Sequence, residues 1–358
     1  MVLLVVSVFA GTEVITAPPA VAEEGDGAAA PREFTIEDPR IVESSGLQAS
    51  HRHPNVYWTH NDSDYAPEIY AVDGTTGRTV ATVTLTGVEF RDVEAIHLGP
   101  DGDLWVGDIG DNFDGAWPHV WIYRFPEPET LADITLAPTV YTVTWEDGPR
   151  DAEALMVHPD SGRVYLASKQ RDGNGAVYIG PEEMSTEGAN VFTRHHDTDL
   201  WVTDGAFSPD GTRLVLRGYF NAEIFRWAEG EEPESLGVVN VPLQPQGESV
   251  TFTPDGRALM FGSEGAMSRV QPVELRGRQL PDEVAAGEAD EAPGSTPEAE
   301  GAEGTEGAEG AEGAEGTGDA GAAAEEGFPT RTVLAVLAAT VLVVALRRLF
   351  RGTGARRG

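Results

Sequence analysis

Residues Arg91–Asn112 read RDVEAIHLGPDGDLWVGDIGDN, two short apolar runs on either side of a Pro-Asp-Gly turn. Runs rich in branched and aromatic side chains favour β-strands, and a Pro-Asp-Gly group favours a tight turn. The stretch therefore predicts a strand–turn–strand unit. It also contains six carboxylates, which raises the question whether these acids serve only turns and solvent or build a site.

Four other stretches of the chain repeat this unit, and further strand candidates lie between them. When one residue of each unit is taken as equivalent, successive units are 49, 59, 51 and 44 residues apart. This spacing is close to the ~40–50 residues of a four-stranded propeller blade, and it predicts five blades, or six if a degenerate repeat lies in residues 228–245. The equivalent residues are Ser45, Glu94, Glu153, Asp204 and Glu248.

The two ends of the repeat region are placed to close a ring. The segment EFTIED from Glu33 can complete the last blade beside SRVQPVEL from Ser268, which would tie the chain ends together. The predicted fold class is therefore all-β, with a single β-propeller over residues 33–279. A two-layer β-sandwich is the main structural alternative.

Two motifs resemble known propeller sequences. The stretch FSPDGTRLVLR from Phe207 to Arg217 resembles the PD40-type repeat of TolB-like and WD40-like propellers. The segments RDVEAI and GDIGDN resemble those of a class of exported bacterial propellers of largely unassigned function. The resemblance covers about 245 residues and implies a fold rather than an activity, and the Gly-His and Trp-Asp pattern of true WD40 repeats is absent.

Both ends of the chain predict targeting to a membrane. Residues 1–22 combine an apolar run with an Ala-x-Ala motif and predict a signal peptide, followed by a mobile segment at 23–32. Residues 280–327 contain fifteen acids and no basic residue, which predicts a disordered Glu/Gly/Ala-rich linker. Residues 328–350 predict one transmembrane helix, and the arginines that follow its apolar core predict that the tail at 351–358 is cytoplasmic and the rest extracytoplasmic.

The composition excludes several kinds of site. A net charge of −36 argues against nucleic acid as a partner, because a phosphate backbone requires a cationic surface. The absence of cysteine rules out disulfides, thiolate metal sites and a cysteine nucleophile. The sequence also lacks the Gly-x-Ser-x-Gly and His-Glu-x-x-His motifs and any phosphate-binding loop.

The repeated hairpins predict that acids from different blades converge. Residues at equal distances from a hairpin turn face each other, which places Glu94 opposite Asp108 and Asp151 opposite Lys169. In a propeller the first strand of each blade lines the central channel, so acids at the start of these strands would share one rim.

Clustered carboxylates in a partly dry site either raise each other's pKa or bind a cation. Oxygen donors favour a hard ion, and calcium accepts about six to eight irregularly placed oxygens. The predicted calcium ligands are Asp92, Glu94, Asp151, Glu153, Asp204 and Glu248, with Asp62 and Asp64 at the same rim. The predicted ligand-binding residues are Asp108, Asp111, Asn112, Lys169 and Arg217, with Phe113, Trp117 and Trp121 as candidates for a pocket wall. Capping of backbone amides and a catalytic role are the alternatives for the acids.

Two function classes remain open. The preferred one is a membrane-tethered extracytoplasmic module that binds an unknown ligand, glycan or protein. The alternative is a calcium-dependent hydrolase of a phytase-like or lactonase-like kind, in which the ion polarises the substrate and a carboxylate activates water. A phytase-like enzyme would need cations for phosphate, and the candidates near the rim are Lys169, Arg91, Arg150, Arg171 and Arg217.

Overall fold

The computed structural model describes residues 31–63, 65–113, 115–170 and 174–291, all within the compact unit Met1–Ser295. This part of the chain is almost entirely β-structure. In chain order the strands are β1 (Phe34–Thr35), β2 (Ser44–Ala49), β3 (Val56–Asn61), β4 (Glu68–Asp73), β5 (Thr79–Leu85), β6 (Val93–Leu98), β7 (Asp103–Asp108), β8 (Val120–Pro126), β9 (Ile134–Leu136), β10 (Thr139–Trp145), β11 (Ala152–Val157), β12 (Val164–Ser168), β13 (Gly175–Ile179), β14 (Ala189–Thr198), β15 (Val202–Phe207), β16 (Arg213–Gly218), β17 (Ala222–Arg226), β18 (Glu234–Val239), β19 (Gly247–Phe252), β20 (Ala258–Ser263) and β21 (Arg269–Glu274). A 3-10 turn (Gly277–Gln279) and helix α1 (Asp282–Glu291) follow.

The strands pair as consecutive antiparallel sets. The sets are β2-β3-β4-β5, which β9 extends, β6-β7-β8-β10, β11-β12-β13-β14, β15-β16-β17-β18, and β19-β20-β21 completed by β1. Parallel pairing of β10 with β14 joins the second and third sets into one eight-stranded sheet. The chain therefore forms most sheets from neighbouring segments and closes only the last one with its beginning.

The first strands of the sets form a closed ring. Each contacts the first strand of the next set, in the order β2, β6, β11, β15, β19, and β19 contacts β2 again. Every residue of these five strands is buried. Cyclic contact of this kind defines a β-propeller, so that prediction is confirmed and the two-layer sandwich is wrong.

Each first strand contains a β-bulge near its beginning. The pairing register shifts after Ser44, Val93, Ala152, Val202 and Gly247, respectively. A bulge places one extra residue on a strand and redirects its side chain, and bulges are common beside active sites.

The bulges correct part of the predicted register. Counting from the turn holds along most of the second hairpin, where Ile96 pairs with Val106, but Val93 rather than Glu94 pairs with Asp108 because Glu94 is the extra residue. The predicted pairing of Asp151 with Lys169 is confirmed by the bond from the Lys169 N–H to the Asp151 carbonyl, 3.0 Å.

The packed region extends beyond the predicted boundary at residue 279. Leu280 is buried, and Val284 packs with it against the core between the last two sets. Asp210 accepts the Glu283 N–H at 3.1 Å, which satisfies a free amide at the helix start. The linker predicted from residue 280 therefore begins inside packed structure, because an apolar helix face precedes the Gly-rich repeat.

Helix α1 is too short and polar to span a membrane, and no other α-helix occurs in the described residues. The predicted signal peptide at 1–22, transmembrane helix at 328–350 and basic tail at 351–358 lie outside the described residues, as do most of the predicted linker and Asp64 and Arg171. These remain predictions.

Ring closure depends on β1, as predicted. Phe34 pairs with Val270, and the Ile36 N–H donates to the Ser268 carbonyl at 2.9 Å. The Phe34 ring also lies 5.1 Å from the Tyr57 ring, so this residue connects the last set to the first.

We expect Phe34→Ala to lower the free energy of unfolding by about 3 kcal/mol, because it leaves a cavity at the seam of the ring. Urea unfolding of the two proteins measures this loss. Phe113→Ala is the matched control, since Phe113 is 71% exposed and its truncation should change stability by less than about 0.5 kcal/mol. Equal losses in both variants would contradict closure through β1.

Candidate functional site

The bulged ends of the first strands open on one face of the ring, which we call the acidic face. Because paired strands are antiparallel, the start of each first strand lies beside the loop that follows the second strand. The described residues of these loops are 62–63, 65–67, 109–113, 115–119, 169–170, 174, 219–221 and 264–268. The opposite face, with the hairpin turns between first and second strands, is called the turn face.

Three carboxylates meet at the acidic face. Oxygens of Asp62, Asp92 and Glu94 all lie within 4.8 Å of one another. Ser45 Oγ donates to Glu94 Oε2 at 3.1 Å, and Asn112 Nδ2 donates to Asp92 Oδ2 at 2.9 Å. The first set thus contributes one carboxylate, Asp62, and the second set contributes two, Asp92 and Glu94, as expected if the inner strands converge.

Gly110 leaves open space in front of two of these acids. A Cβ atom at this position would lie 2.5 Å from Glu94 Oε1 and 2.6 Å from Asp92 Oδ2. The two oxygens therefore point to a common space that a larger residue would fill.

Burial and like charge act together on this group. Burial raises the pKa of Glu94 well above its ordinary value, and the charges of Asp62, Glu153 and Asp92 raise it further. Burial also raises the pKa of Glu153, although Lys169 opposes the effect. Carboxylates held this way need either protons or a cation.

Lys169 lies among the acids from the third and fifth sets. Its Nζ is 2.7 Å from Glu153 Oε1 and 5.2 Å from the centre of the Tyr219 ring. Although burial disfavours its charge, Glu153 and then Tyr219 raise the pKa of Lys169 well above its usual range. Lys169 is therefore a charged residue whose ammonium is already paired.

Glu248 is a buried acid with one oxygen that has no hydrogen-bond partner among the described residues. It is 5% exposed, its Oε1 accepts a bond from Gln246 Nε2 at 2.8 Å, and its Oε2 has no hydrogen-bond partner among the described residues. Burial raises the pKa of Glu248 to about 7, although Lys169 opposes this. We call the group Asp62, Asp92, Glu94, Asp151, Glu153, Lys169 and Glu248 the acidic mouth.

Two predicted ligand-binding acids cap backbone amides instead. Asp108 accepts bonds from the Asp92 N–H at 2.9 Å and from Tyr123 Oη at 2.8 Å. Asp111 accepts the Trp117 N–H at 2.6 Å. Both acids are fully buried: Asp108 holds the backbone just before β6, and Asp111 holds the loop that follows β7.

Asp204 and Arg217 also have structural partners. Asp204 accepts the N–H groups of Gly205 and Val250, at 2.8 and 2.7 Å, and thereby links β15 to β19. The bulge of the fourth set places Thr203 at the position that was assigned to Asp204. Arg217 is fully buried and donates to the Gly262 carbonyl at 2.7 Å and to Gln244 Oε1 at 2.6 Å. This placement differs from the metal and ligand-binding roles predicted for the two residues.

The remaining predicted residues lie at the mouth. Asp151 is buried there, and its Oδ1 accepts the Asp111 N–H at 2.7 Å. Sequence patterns did not identify Gly110, Tyr219 or Gln246 as residues of the site. The position of Gly110 opposite Asp92 was a usable signal, since the Gly110 N–H donates to the Asp92 carbonyl at 3.0 Å.

Comparisons with known proteins leave the function open. No protein-family model matches the chain, and no curated protein matches it. Solved structures with some likeness include a candidate 6-phosphogluconolactonase from Bacteroides uniformis, with 13% identity, a TM-score of 0.38 and coverage of 66% of this chain and 68% of that one. An auxiliary nutrient binding protein from Bacteroides thetaiotaomicron has 11% identity, a TM-score of 0.38 and coverage of 67% and 59%. A gluconolactonase from Xanthomonas campestris has 12% identity, a TM-score of 0.41 and coverage of 68% and 91%. At these values the likenesses assign neither a family nor an activity.

Glu248 should make stability depend on pH. Its raised pKa means that the folded protein keeps a proton that the unfolded chain releases, so its contribution is present below pH 4.5 and is lost as the pH rises through about 7. Without divalent cations, Glu248→Gln should therefore gain stability relative to the parent between pH 5 and pH 8, on the order of 2 kcal/mol.

Urea unfolding at the two pH values measures the difference. His60 and His97, whose pKa values burial lowers to about 4, act in the opposite sense but equally in both proteins. Glu183→Gln, at an exposed site, is the control and should parallel the parent. A constant difference between Glu248→Gln and the parent would show that Glu248 ionises normally.

Proposed function

We propose that the chain is a five-bladed, membrane-tethered extracytoplasmic propeller that binds calcium at Asp62, Asp92 and Glu94 and recognises its ligand at the acidic mouth. The observation that carries this proposal is the meeting of three carboxylates within 4.8 Å in a largely buried site. The five first strands in cyclic contact support the blade count.

The donor set fits calcium. The cluster offers only oxygen atoms, and calcium accepts carboxylate, amide and water oxygens in irregular arrangements. Bound calcium would neutralise the repulsion among the acids and could coordinate the hydroxyl or carbonyl oxygens of a ligand.

The acidic face is free of the chain end that leaves the ring. Helix α1 begins at the turn face, where Asp210 accepts the Glu283 N–H and Pro281 lies beside Gly256. The described part of the chain therefore leaves the ring at the face opposite to the mouth.

A calcium-dependent hydrolase is the second candidate, and Glu248 favours it. Its pKa of about 7 and its free Oε2 are suited to accepting a proton from water near neutral pH. Calcium would polarise a substrate carbonyl. Lys169 is paired with Glu153, and Arg217 is buried, so the site fits a lactone better than a phosphoester.

Calcium should raise the midpoint of thermal unfolding. At a calcium concentration of 100 times Kd, binding adds about 2.7 kcal/mol to stability. Asp62→Asn and Glu94→Gln should abolish the rise, whereas Glu183→Gln, which removes the same charge from an exposed site, should keep it. The absence of a rise in the parent up to millimolar calcium would remove the ion from the proposal.

The two candidate functions differ in turnover. If the hydrolase is correct, lactones or phosphoesters offered with calcium are consumed by the parent protein and not by Glu94→Gln, Glu153→Gln or Glu248→Gln. If the binding function is correct, none of these substrates is consumed, while the calcium-dependent rise in the unfolding midpoint remains.

Gly110→Ala should weaken calcium binding at least about tenfold while the fold is retained. The added methyl group would lie 2.8 Å from Asp92 Cγ as well as close to the two oxygens, so both side chains would have to move and the cluster would open. Titration calorimetry with calcium measures the change. Gly287→Ala is the matched control, because no atom lies near its added methyl group in α1. Unchanged affinity in Gly110→Ala would place the ion elsewhere.

A further inference from the structure

Exposed apolar side chains occur at the acidic face as well as on the outer strands. In the part of the chain that the structure describes, nine large apolar side chains are strongly exposed. Three of these lie in the loops of the acidic face, a fourth lies in the connection from β18 to β19 that ends at the same face, and the other five lie on or beside outer strands. The four are Phe113, Phe220, Leu243 and Met267.

The backbone at Phe113 is held beside the carboxylate cluster of Asp62, Asp92 and Glu94. Its N–H donates to Asp111 Oδ1 at 3.3 Å, and the preceding residue, Asn112, bonds to Asp92. The Arg91 guanidinium lies between the rings of Trp117 and Trp121, 4.4 and 4.5 Å from their centres, and anchors the same loop. The 71% exposed ring therefore projects from an ordered support.

Phe220 has a similar support on the other side of the mouth. Its ring is 6.3 Å from that of Tyr219, which packs edge-on against Trp201 at 4.8 Å and lies beside Lys169. Phe220 is 52% exposed. Two exposed aromatic rings thus lie beside residues of the mouth that different blades contribute.

The hydrogen-bonding capacity of the mouth is almost entirely that of an acceptor. Ionised carboxylates only accept, and Glu248 Oε2 is a buried acceptor without a partner among the described residues. Of the cations near the mouth, Lys169 is paired with Glu153, and Arg91 contacts two tryptophan rings and donates to the His119 carbonyl at 3.3 Å. The site therefore fits a ligand that donates hydrogen bonds and carries no negative charge.

We infer that the ligand is a neutral carbohydrate, whose hydroxyl groups donate to the free acceptor of Glu248 and bind the cation while a sugar ring stacks on Phe113 or Phe220. A sugar has the required combination of many hydroxyl donors and an apolar C–H face, and aromatic rings offer a large, rigid surface for such a face. This inference rests on the proposed function for the cation at Asp62, Asp92 and Glu94.

The test is calorimetric titration of the calcium-loaded protein with trisaccharides of matched length. Maltotriose, cellotriose and chitotriose are the neutral probes, the glucosamine trimer is the cationic probe and trigalacturonate is the anionic probe. We expect at least one neutral trisaccharide to bind, and neither charged probe to bind as tightly.

Two variants test the aromatic platform. At least one of Phe113→Ala and Phe220→Ala should weaken binding of the neutral trisaccharide about tenfold. Leu131→Ala, an exposed apolar residue on the turn face, is the matched control and should leave the affinity unchanged. The calcium-dependent rise in the unfolding midpoint should remain in all three.

The inference is overturned if no neutral trisaccharide binds, if the glucosamine trimer or trigalacturonate binds more tightly, or if the phenylalanine variants behave like Leu131→Ala. In each of these cases a persistent calcium effect would leave the proposed cation site intact. Loss of the calcium effect in the parent protein would instead reject the cation site itself.

Discussion

Repulsion among buried carboxylates is the constraint on which the structure of the acidic mouth depends. Glu94, Glu153 and Glu248 come from strands that are distant in sequence, yet the ring holds them at one end of its channel. Packing alone gives no reason to place acids there, because each loses hydration and gains like-charged neighbours. Ser45, Gln246 and Lys169 offset only part of this cost.

The other buried acids of the same face show what a purely structural carboxylate looks like. Asp108, Asp111 and Asp204 each accept backbone N–H groups, so their partners account for their burial. By contrast, carboxylate oxygens of Asp62, Asp92 and Glu94 lie within 4.8 Å of one another, and Glu248 keeps one oxygen without a hydrogen-bond partner among the described residues. This contrast separates residues that hold the loops from residues that have capacity left for an ion or a ligand.

The sequence predicts the fold well because the propeller is built from repeated local units. Pro-Asp-Gly turns fix the centre of each hairpin, so most pairings follow by counting, and the closing strand follows from the apolar pattern near Glu33. The bulges cannot be predicted by this counting, because in the sequence an extra residue such as Glu94 is indistinguishable from any other strand residue. Because the bulge in the fourth set was not predicted, the sequence pattern placed Asp204 at the position that Thr203 occupies.

The sequence also did not predict which charged residues are buried. Arg217 and Lys169 occupy comparable positions after or within second strands, but one is enclosed between two sets and the other reaches the mouth. The sequence likewise did not predict that helix α1 packs against the ring, because most of its residues are charged or small and only a few apolar side chains make the contact. Partners distant in the chain decide these outcomes.

The most direct measurement of the central claim is a crystal structure of the protein grown with calcium. The account predicts an ion bound by carboxylate oxygens of Asp62, Asp92 and Glu94 at ~2.3–2.6 Å, beside Gly110. Carboxyl groups bonded to one another through shared protons, with calcium bound elsewhere or not at all, would contradict it.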